Sequence, residues 1–172
     1  GPTVELLENQ GDLEMELKMH QEAVNTYTQL TELAPEYEDA WLKLARVQAV
    51  AGSTVESFQT FDRALEVLGE SYRVLGQKAM FQLINSDYSG ALDTYERMRR
   101  IRMDEAWIPL SMGGIYMDTG NPAMADSMFH IAQDLAPDDR RIWESRVQLA
   151  LEEQDNTSAM AILRDALESI PD

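Results

Sequence analysis

Apolar residues recur along the whole chain three or four positions apart, the spacing of amphipathic helices, and the predicted helices come in pairs. The first helix, near residues 4–18, carries an apolar stripe that we expect to be buried: Leu6, Leu7, Leu13 and Leu17. The second helix, near residues 21–33, faces it with Ala23, Tyr27 and Leu30. Pro35 ends this pair, because it donates no backbone hydrogen bond and biases the preceding residue away from helix. The pattern therefore predicts a helical hairpin.

This hairpin pattern returns without gaps, with a period of about 34 residues. It is most complete at residues 106–139, where Gly113 is followed at helical spacing by Ala125 and Phe129, and Pro137 closes the hairpin in an acidic turn. Such a period predicts one array of stacked hairpins. We expect residues 1–3 to be a tag remnant and the native start, and residues 4–172 to be a single domain with repeats at 4–37, 38–71, 72–105, 106–139 and 140–172.

Five repeats in phase at small, aromatic and proline positions make the chain similar to the tetratricopeptide repeat (TPR) family over nearly its whole length. Trp41, Leu44 and Ala45 match the W-x-x-L-G/A signature of that family. The resemblance implies an all-α fold, a right-handed superhelical solenoid of antiparallel helix pairs. Pro109 departs from the family pattern, so we expect the first helix of the fourth repeat to begin near Ile108 or to be kinked.

The resemblance also implies where a partner binds. In this family the first helix of each hairpin lines the concave surface, which commonly receives an extended peptide or a helix of another protein. Carried over position by position, the groove is lined by Leu42, Arg46, Val50, Arg73, Met80, Leu83, Ile84, Trp107, Leu110, Met117 and Arg141. Its middle is apolar and contains methionines, which adapt to a partner, so we expect it to bind an apolar or amphipathic segment. The alternative is a superhelix so tight that these side chains close the groove on each other.

Charged residues flank the apolar part of this predicted groove. We expect Arg46, Arg73 and Arg141 to orient carboxylates or backbone carbonyls of the partner. Glu8 and Asp12 make the N-terminal end acidic, and we expect them to attract a basic flank of the partner. TPR domains that clamp the acidic C-terminus of chaperones carry Lys and Asn at these two positions, so the resemblance argues against that subclass.

Composition narrows the class of partner. The 172 residues carry a formal net charge of −17 at pH 7, which repels nucleic acid and acidic membranes and leaves another protein as the expected partner. No apolar run reaches the roughly 18 residues of a spanning helix, so we expect no direct membrane insertion. The absence of cysteine excludes disulfides and thiolate metal sites, and it fits the cytoplasm and the bacterial periplasm equally well.

The sequence contains no recognisable arrangement of catalytic residues. His20 and His130 are the only histidines, and their separation is not that of a metal-binding pair. Carboxylates are so numerous that neighbouring pairs arise by chance. We therefore expect a non-enzymatic protein with no metal and no cofactor.

One basic run stands out in this acidic chain, formed by Arg97, Arg99, Arg100 and Arg102. It is either a solvated stretch at a helix C-terminus, where the helix dipole stabilises cations, or a convex patch that docks an acidic segment. Reversal of these charges separates the two.

The C-terminal repeat suggests alternative functions. No polar capping helix follows it, so we expect Leu163, Leu167 and Ile170 to be partly exposed. The chain then either self-associates through this repeat as a homo-oligomeric structural platform, or is a TPR module of a larger secretion, assembly or regulatory protein.

Overall fold

The chain is all-α. The computed structural model describes residues 1–170 and shows ten helices and no strand within them, which confirms the all-α prediction. In chain order the helices are α1 Val4–Glu16, α2 His20–Leu33, α3 Glu38–Val50, α4 Thr54–Leu68, α5 Tyr72–Ile84, α6 Tyr88–Ile101, α7 Trp107–Asp118, α8 Pro122–Leu135, α9 Arg140–Glu152 and α10 Asn156–Ser169. None of these helices is long and apolar enough to cross a lipid bilayer.

The helix ends follow local sequence signals. Thr3 caps α1 by accepting a backbone hydrogen bond at 3.3 Å. The helix α2 ends before Ala34, which precedes Pro35 and leaves the helical region. At the start of α7, Pro109 occupies the first turn, where a missing N–H breaks no intrahelical bond. The predicted late start of this helix, near Ile108, is thereby confirmed.

Each hairpin closes through one residue in the left-handed backbone region. These residues hold the same position in all five turns, with φ between 59° and 84°: Lys18, Gly52, Ser86, Gly120 and Gln154. Glycine adopts this conformation freely, whereas for a residue with a side chain the left-handed conformation costs about 1–2 kcal/mol. Two of the turns use glycine for this conformation, Gly52 and Gly120, and three hold it without glycine.

The chain divides into two compact units, Gly1–Phe81 and Gln82–Asp172. In the first unit, α1 packs on α2, α2 on α3, and α3 on α4. A Cβ atom at Gly11 would lie 2.5 Å from the ring of Tyr27, so glycine is what lets α1 and α2 approach. The core at these contacts consists of Leu7, Ala23, Tyr27, Leu30, Ala40, Leu44 and Val47.

The predicted buried stripe of α1 is wrong for three of its four leucines. Leu7 is buried against α2, but Leu6, Leu13 and Leu17 are 62%, 55% and 61% exposed. The reason is the number of neighbours. In the described chain α1 has α2 as its packed neighbour, whereas α3 packs between α2 and α4.

In the second unit, α6 packs on α7, α7 on α8, α8 on α9, and α9 on α10. A Cβ atom at Gly113 would lie 2.3 Å from the ring of Phe129, so glycine is what lets α7 and α8 approach. The core of this unit, with the side chains packed on it, contains Ala125, Phe129, Leu149, Leu110, Tyr116 and Met117.

Candidate functional site

The predicted groove residues of the first unit lie on α3 and α5. Leu42, Arg46 and Val50 follow one another at one-turn intervals along α3. Leu42 is half-buried and Arg46 exposed, while Val50 is 54% exposed and Met80 of α5 is 58% exposed. We group these residues with Arg73 as the predicted groove residues up to Met80 and name them the α3–α5 face: Leu42, Arg46, Val50, Arg73 and Met80.

Ion pairs place α5 beside α3 at this face. The Arg73 guanidinium lies 2.6 Å from the Asp39 carboxylate and 3.4 Å from that of Glu38, both in the first turn of α3. Arg46 differs, since it makes no ion pair with any residue in the part of the chain that the structure describes. Its charge nevertheless acts on Asp12, where it helps to lower the pKa of that carboxyl.

A charge network between α1 and α3 was not predicted from the sequence. Lys43 Nζ lies 2.8 Å from the Glu8 carboxylate and 2.7 Å from that of Asp12. Tyr27 donates its hydroxyl to Asp12 at 2.7 Å, and Tyr37 donates to Glu8 at 2.9 Å. Burial alone would raise the pKa of the Asp12 carboxyl, but the hydrogen bonds from Lys43 and Tyr27 hold that pKa below its ordinary value.

The expected attraction of a basic flank by Glu8 and Asp12 stays a prediction. Both carboxylates already accept hydrogen bonds from tyrosine hydroxyls and contact the Lys43 ammonium, so a basic partner would compete with Lys43 for them. Burial works to lower the pKa of Lys43, yet its hydrogen bonds to Asp12 and Glu8 raise it. The signal in the sequence was a lysine directly after Leu42, outside the positions carried over from the family.

In the second unit, two predicted groove residues of α7 contribute to packing. Leu110 and Met117 are half-buried and lie against the core of Ala125, Phe129 and Leu149. Each therefore stabilises its own unit, and only its remaining surface is open to a partner.

Trp107 is also held by its own unit. Its ring meets the Tyr95 ring of α6 edge-on, with centroids 5.9 Å apart, and its indole N–H donates to Glu105. Of the other predicted groove residues in this unit, Leu83 is half-buried and Ile84 is exposed on the last turn of α5.

Arg141 pairs with a neighbour at the start of α9. Its guanidinium lies 2.6 Å from the Asp139 carboxylate, and this hydrogen bond holds the pKa of Asp139 below its ordinary value. Arg141 itself is exposed. The pair is an exposed ion pair, which contributes little to stability and leaves Arg141 reachable from solvent.

The arginines of the basic run have counter-ions close by. Arg99 lies 3.0 Å from Glu96, and Arg100 lies 3.7 Å from the same carboxylate. Arg102 lies 2.8 Å from Glu105. This local pairing favours the interpretation as a solvated helix end, and docking of an acidic segment stays a prediction.

Neither histidine belongs to a metal-binding cluster of the described residues. Among residues 1–170, no cluster of three or more His, Cys, Asp or Glu side chains could hold a metal ion. The ring of His130 lies 3.0 Å from the Arg146 guanidinium.

Arg146 is the cation in an open cleft of about 400 Å³ in the second unit, with Asp126, Glu153 and Asp165 among its lining residues. The cleft is thus mainly acidic.

Comparison with known protein families gives one match. The family model described as tetratricopeptide repeat matches residues 8–72 and 110–172, which is more than half of the chain. These two stretches run from α1 to the first residue of α5 and from α7 to the end of the chain. No curated protein sequence matches the chain.

Solved structures share the fold at low sequence identity. A crystal structure of MamA superposes with a TM-score of 0.72 at 16% identity, covering 96% of this chain and 91% of MamA. MamA from Desulfovibrio magneticus RS-1, residue 41 to its end, gives a TM-score of 0.72 at 15% identity, covering 98% and 95%. YrrB, described as a TPR protein with an unusual peptide-binding site, gives 0.66 at 17% identity, covering 95% and 84%. At such identities the likeness concerns the fold alone.

Proposed function

Because the chain belongs to the tetratricopeptide repeat family, we propose that it is a non-enzymatic interaction scaffold whose α3–α5 face binds an apolar or amphipathic segment of another protein. The observation that carries the proposal is the exposure of Val50 and Met80, two apolar residues of this face. YrrB, a TPR protein of the same fold, has a peptide-binding site, which supports a peptide as the class of ligand.

The chemistry of the face defines the ligand. Removing Val50 and Met80 from water favours apolar side chains of the partner. Arg46 favours a carboxylate or a backbone carbonyl beside them. Arg73 is held by Asp39, so it serves as the polar rim of the contact.

A random peptide library, selected on the folded chain, tests this function without a known partner. We expect enriched peptides to combine apolar residues with an acidic residue. The double variant Val50→Glu, Met80→Glu should weaken their binding at least about tenfold, the equivalent of about 1.4 kcal/mol. Arg46→Glu should weaken peptides with an acidic residue more than it weakens neutral ones. Circular dichroism confirms that each variant keeps its helicity.

The control is Met103→Glu. Met103 is exposed in the turn between α6 and α7 and is not one of the residues of the α3–α5 face, so this variant adds a carboxylate without changing them and should bind like the wild type. Peptides that bind the wild type and the double variant equally would place the binding surface elsewhere. A selection that enriches no peptide would refute peptide recognition as the function.

A further inference from the structure

Two helices each leave one apolar face open to solvent. Leu6 and Leu13 share one side of α1, at positions i and i+7, and we name them the α1 face. Leu163 and Leu167 of α10 are 44% and 84% exposed, as the sequence predicted, and we name them the α10 face. Leucines at this exposure are a source of binding energy when a partner covers them.

The repeats show what covers the position of Leu13 elsewhere in the chain. One repeat later this position is Val47, which packs with Tyr27 of α2 in the core of the first unit. In the last repeat it is Leu149, which packs with Phe129 of α8 in the core of the second unit. At this position an odd-numbered helix contacts the even-numbered helix that precedes it.

Leu6 leads to the same conclusion. The corresponding residues of α3 and α9 are Ala40 and Ile142, and both are fully buried. On α3 and α9, the side that corresponds to the α1 face is thus covered by an even-numbered helix.

The α10 face is the counterpart. Leu163 corresponds to Tyr27 and Phe129, the two even-helix residues of the contacts just described, and both of those are buried. Leu167 corresponds to Leu65 of α4, which is also buried. The α10 face is therefore the side that an odd-numbered helix would cover.

We propose that copies of the chain associate head to tail, with α10 of one copy packed on α1 of the next. Leu163 of the first copy takes the place of Phe129, and Leu13 of the second takes the place of Leu149. The contact between copies thus repeats the one that joins α8 to α9 within the chain. It is heterologous, so every open assembly keeps one free α1 face and one free α10 face and grows with concentration.

Charge sets the conditions for this association. Each copy carries a net charge of −17, and exposed carboxylates flank both faces, Glu5 and Glu16 on α1 and Asp165 and Glu168 on α10. Salt screens such repulsion, since the Debye length falls from about 10 Å at 0.1 M to about 3 Å at 1 M. Association should therefore strengthen with salt, whereas an interface held by ion pairs would weaken.

The test measures molecular mass against concentration by light scattering, for the whole chain and two variants. Leu13→Glu blocks the α1 face and Leu167→Glu blocks the α10 face, and both side chains are exposed enough to spare the core. We expect the wild type to grow beyond the monomer and each variant alone to stay monomeric. An equimolar mixture of the variants should form a one-to-one dimer and nothing larger, because each retains one working face.

Other outcomes overturn the proposal. A variant that still forms dimers alone would show pairing of like faces, and a wild type that stays monomeric at every concentration and salt would exclude the association. Met103→Glu adds the same charge outside both faces and should assemble like the wild type. Val50 and Met80 lie outside both faces as well, so these results do not bear on the α3–α5 face.

A second readout avoids the added charge. The chain has no cysteine, so Leu13→Cys and Leu163→Cys variants carry one thiol each. When the two are mixed and oxidised, we expect the mixed disulfide dimer well above its statistical share. A random distribution among the three possible pairs would contradict head-to-tail packing.

Discussion

The indole N–H of Trp143 donates a hydrogen bond to the carbonyl oxygen of Pro137 at 2.7 Å. Trp143 is buried in the first turn of α9, and Pro137 lies in the turn before it, so the bond fixes how the chain enters the helix. Trp41 makes the same bond to Pro35 at 2.8 Å before α3, in the other unit. The tryptophan of the family signature therefore provides a donor as well as a large ring.

Removing this donor should destabilise the second unit. Trp143→Phe keeps an aromatic ring but loses the hydrogen bond and part of the buried surface, so we expect the free energy of unfolding in urea to fall by about 1–2 kcal/mol. Trp41→Phe should lower the free energy of unfolding of the first unit by a similar amount. Trp107→Phe also loses an indole hydrogen bond, the one to Glu105, but that ring is only half-buried, so we expect a smaller loss. An equal loss at Trp107 would show that the burial of the ring does not set the cost.

Two neighbouring glycines of α7 should respond in opposite directions to alanine. At Gly113 the added Cβ would lie 2.3 Å from the buried ring of Phe129, so Gly113→Ala should destabilise the unit by about 1–3 kcal/mol. At Gly114 nothing lies within 4 Å of the added atom. Gly114→Ala should therefore be neutral or stabilising by up to about 1 kcal/mol, since alanine favours helix over glycine. Thermal unfolding of both variants measures the difference, and equal effects would refute the packing argument.

The repeat pattern predicted the helices well because each hairpin carries its own signals. Pro35 marks where α2 stops, and Pro109 marks the late start of α7. Burial on α1 was not predictable in this way. Leu6 and Leu7 are adjacent leucines in one helix, and which of them is buried depends on which side a second helix covers. A periodicity within one helix contains no information about its neighbours.

The candidate site was predictable in part. Val50 and Met80 were expected to line the groove, and both are exposed. Lys43 was overlooked, because the groove positions were carried over from the family while the ion pairs of this lysine follow from three-dimensional contacts with Glu8 and Asp12. Charge partners on different helices leave no periodic trace in the sequence.

Polar pairs inside the helix contacts were equally hidden. Thr60 donates to Gln48 at 2.7 Å, and Thr94 donates to Gln82 at 2.7 Å, one repeat later at the same position. Thr60, Thr94 and Gln82 are buried. In the sequence these residues resemble solvent-facing positions, and only the mutual hydrogen bond makes their burial tolerable.

The network around Lys43 should make the stability of the first unit depend on pH. The folded-state pKa of Asp12 lies below its ordinary value of 3.8. The stability that it contributes is thus fully present above that value and is lost as pH falls through the folded-state pKa. We expect Asp12→Asn to lower the free energy of unfolding by a constant amount from neutral pH down to about 4, and by less below it. Solvent screening reduces this loss of unfolding free energy, because the Asp12 side chain is 47% exposed.

Lys43 extends the pH dependence to alkaline pH, and its substitution provides the control for Asp12→Asn. Its pKa is raised above the ordinary 10.5, so its contribution is present below that value and is lost as pH rises through the folded-state pKa. In a Lys43→Met background, Asp12→Asn should have a smaller effect and a weaker pH dependence in urea titrations. An unchanged acid profile in that background would assign the pKa shift to Tyr27 and Arg46 instead.

The hairpin turns offer a stabilising substitution. Gln154 has φ of 60° between α9 and α10, where a side chain costs about 1–2 kcal/mol and glycine costs only the entropy of a freer unfolded chain, about 0.5–1 kcal/mol. Gln154→Gly should therefore raise the free energy of unfolding by up to about 1 kcal/mol, and Lys18→Gly should do the same in the first unit. Glu153→Gly is the matched control, since Glu153 has φ of −76° and needs no glycine, and it should destabilise. If Gln154→Gly also destabilises, the left-handed turn is held by contacts of the glutamine side chain that outweigh its backbone strain.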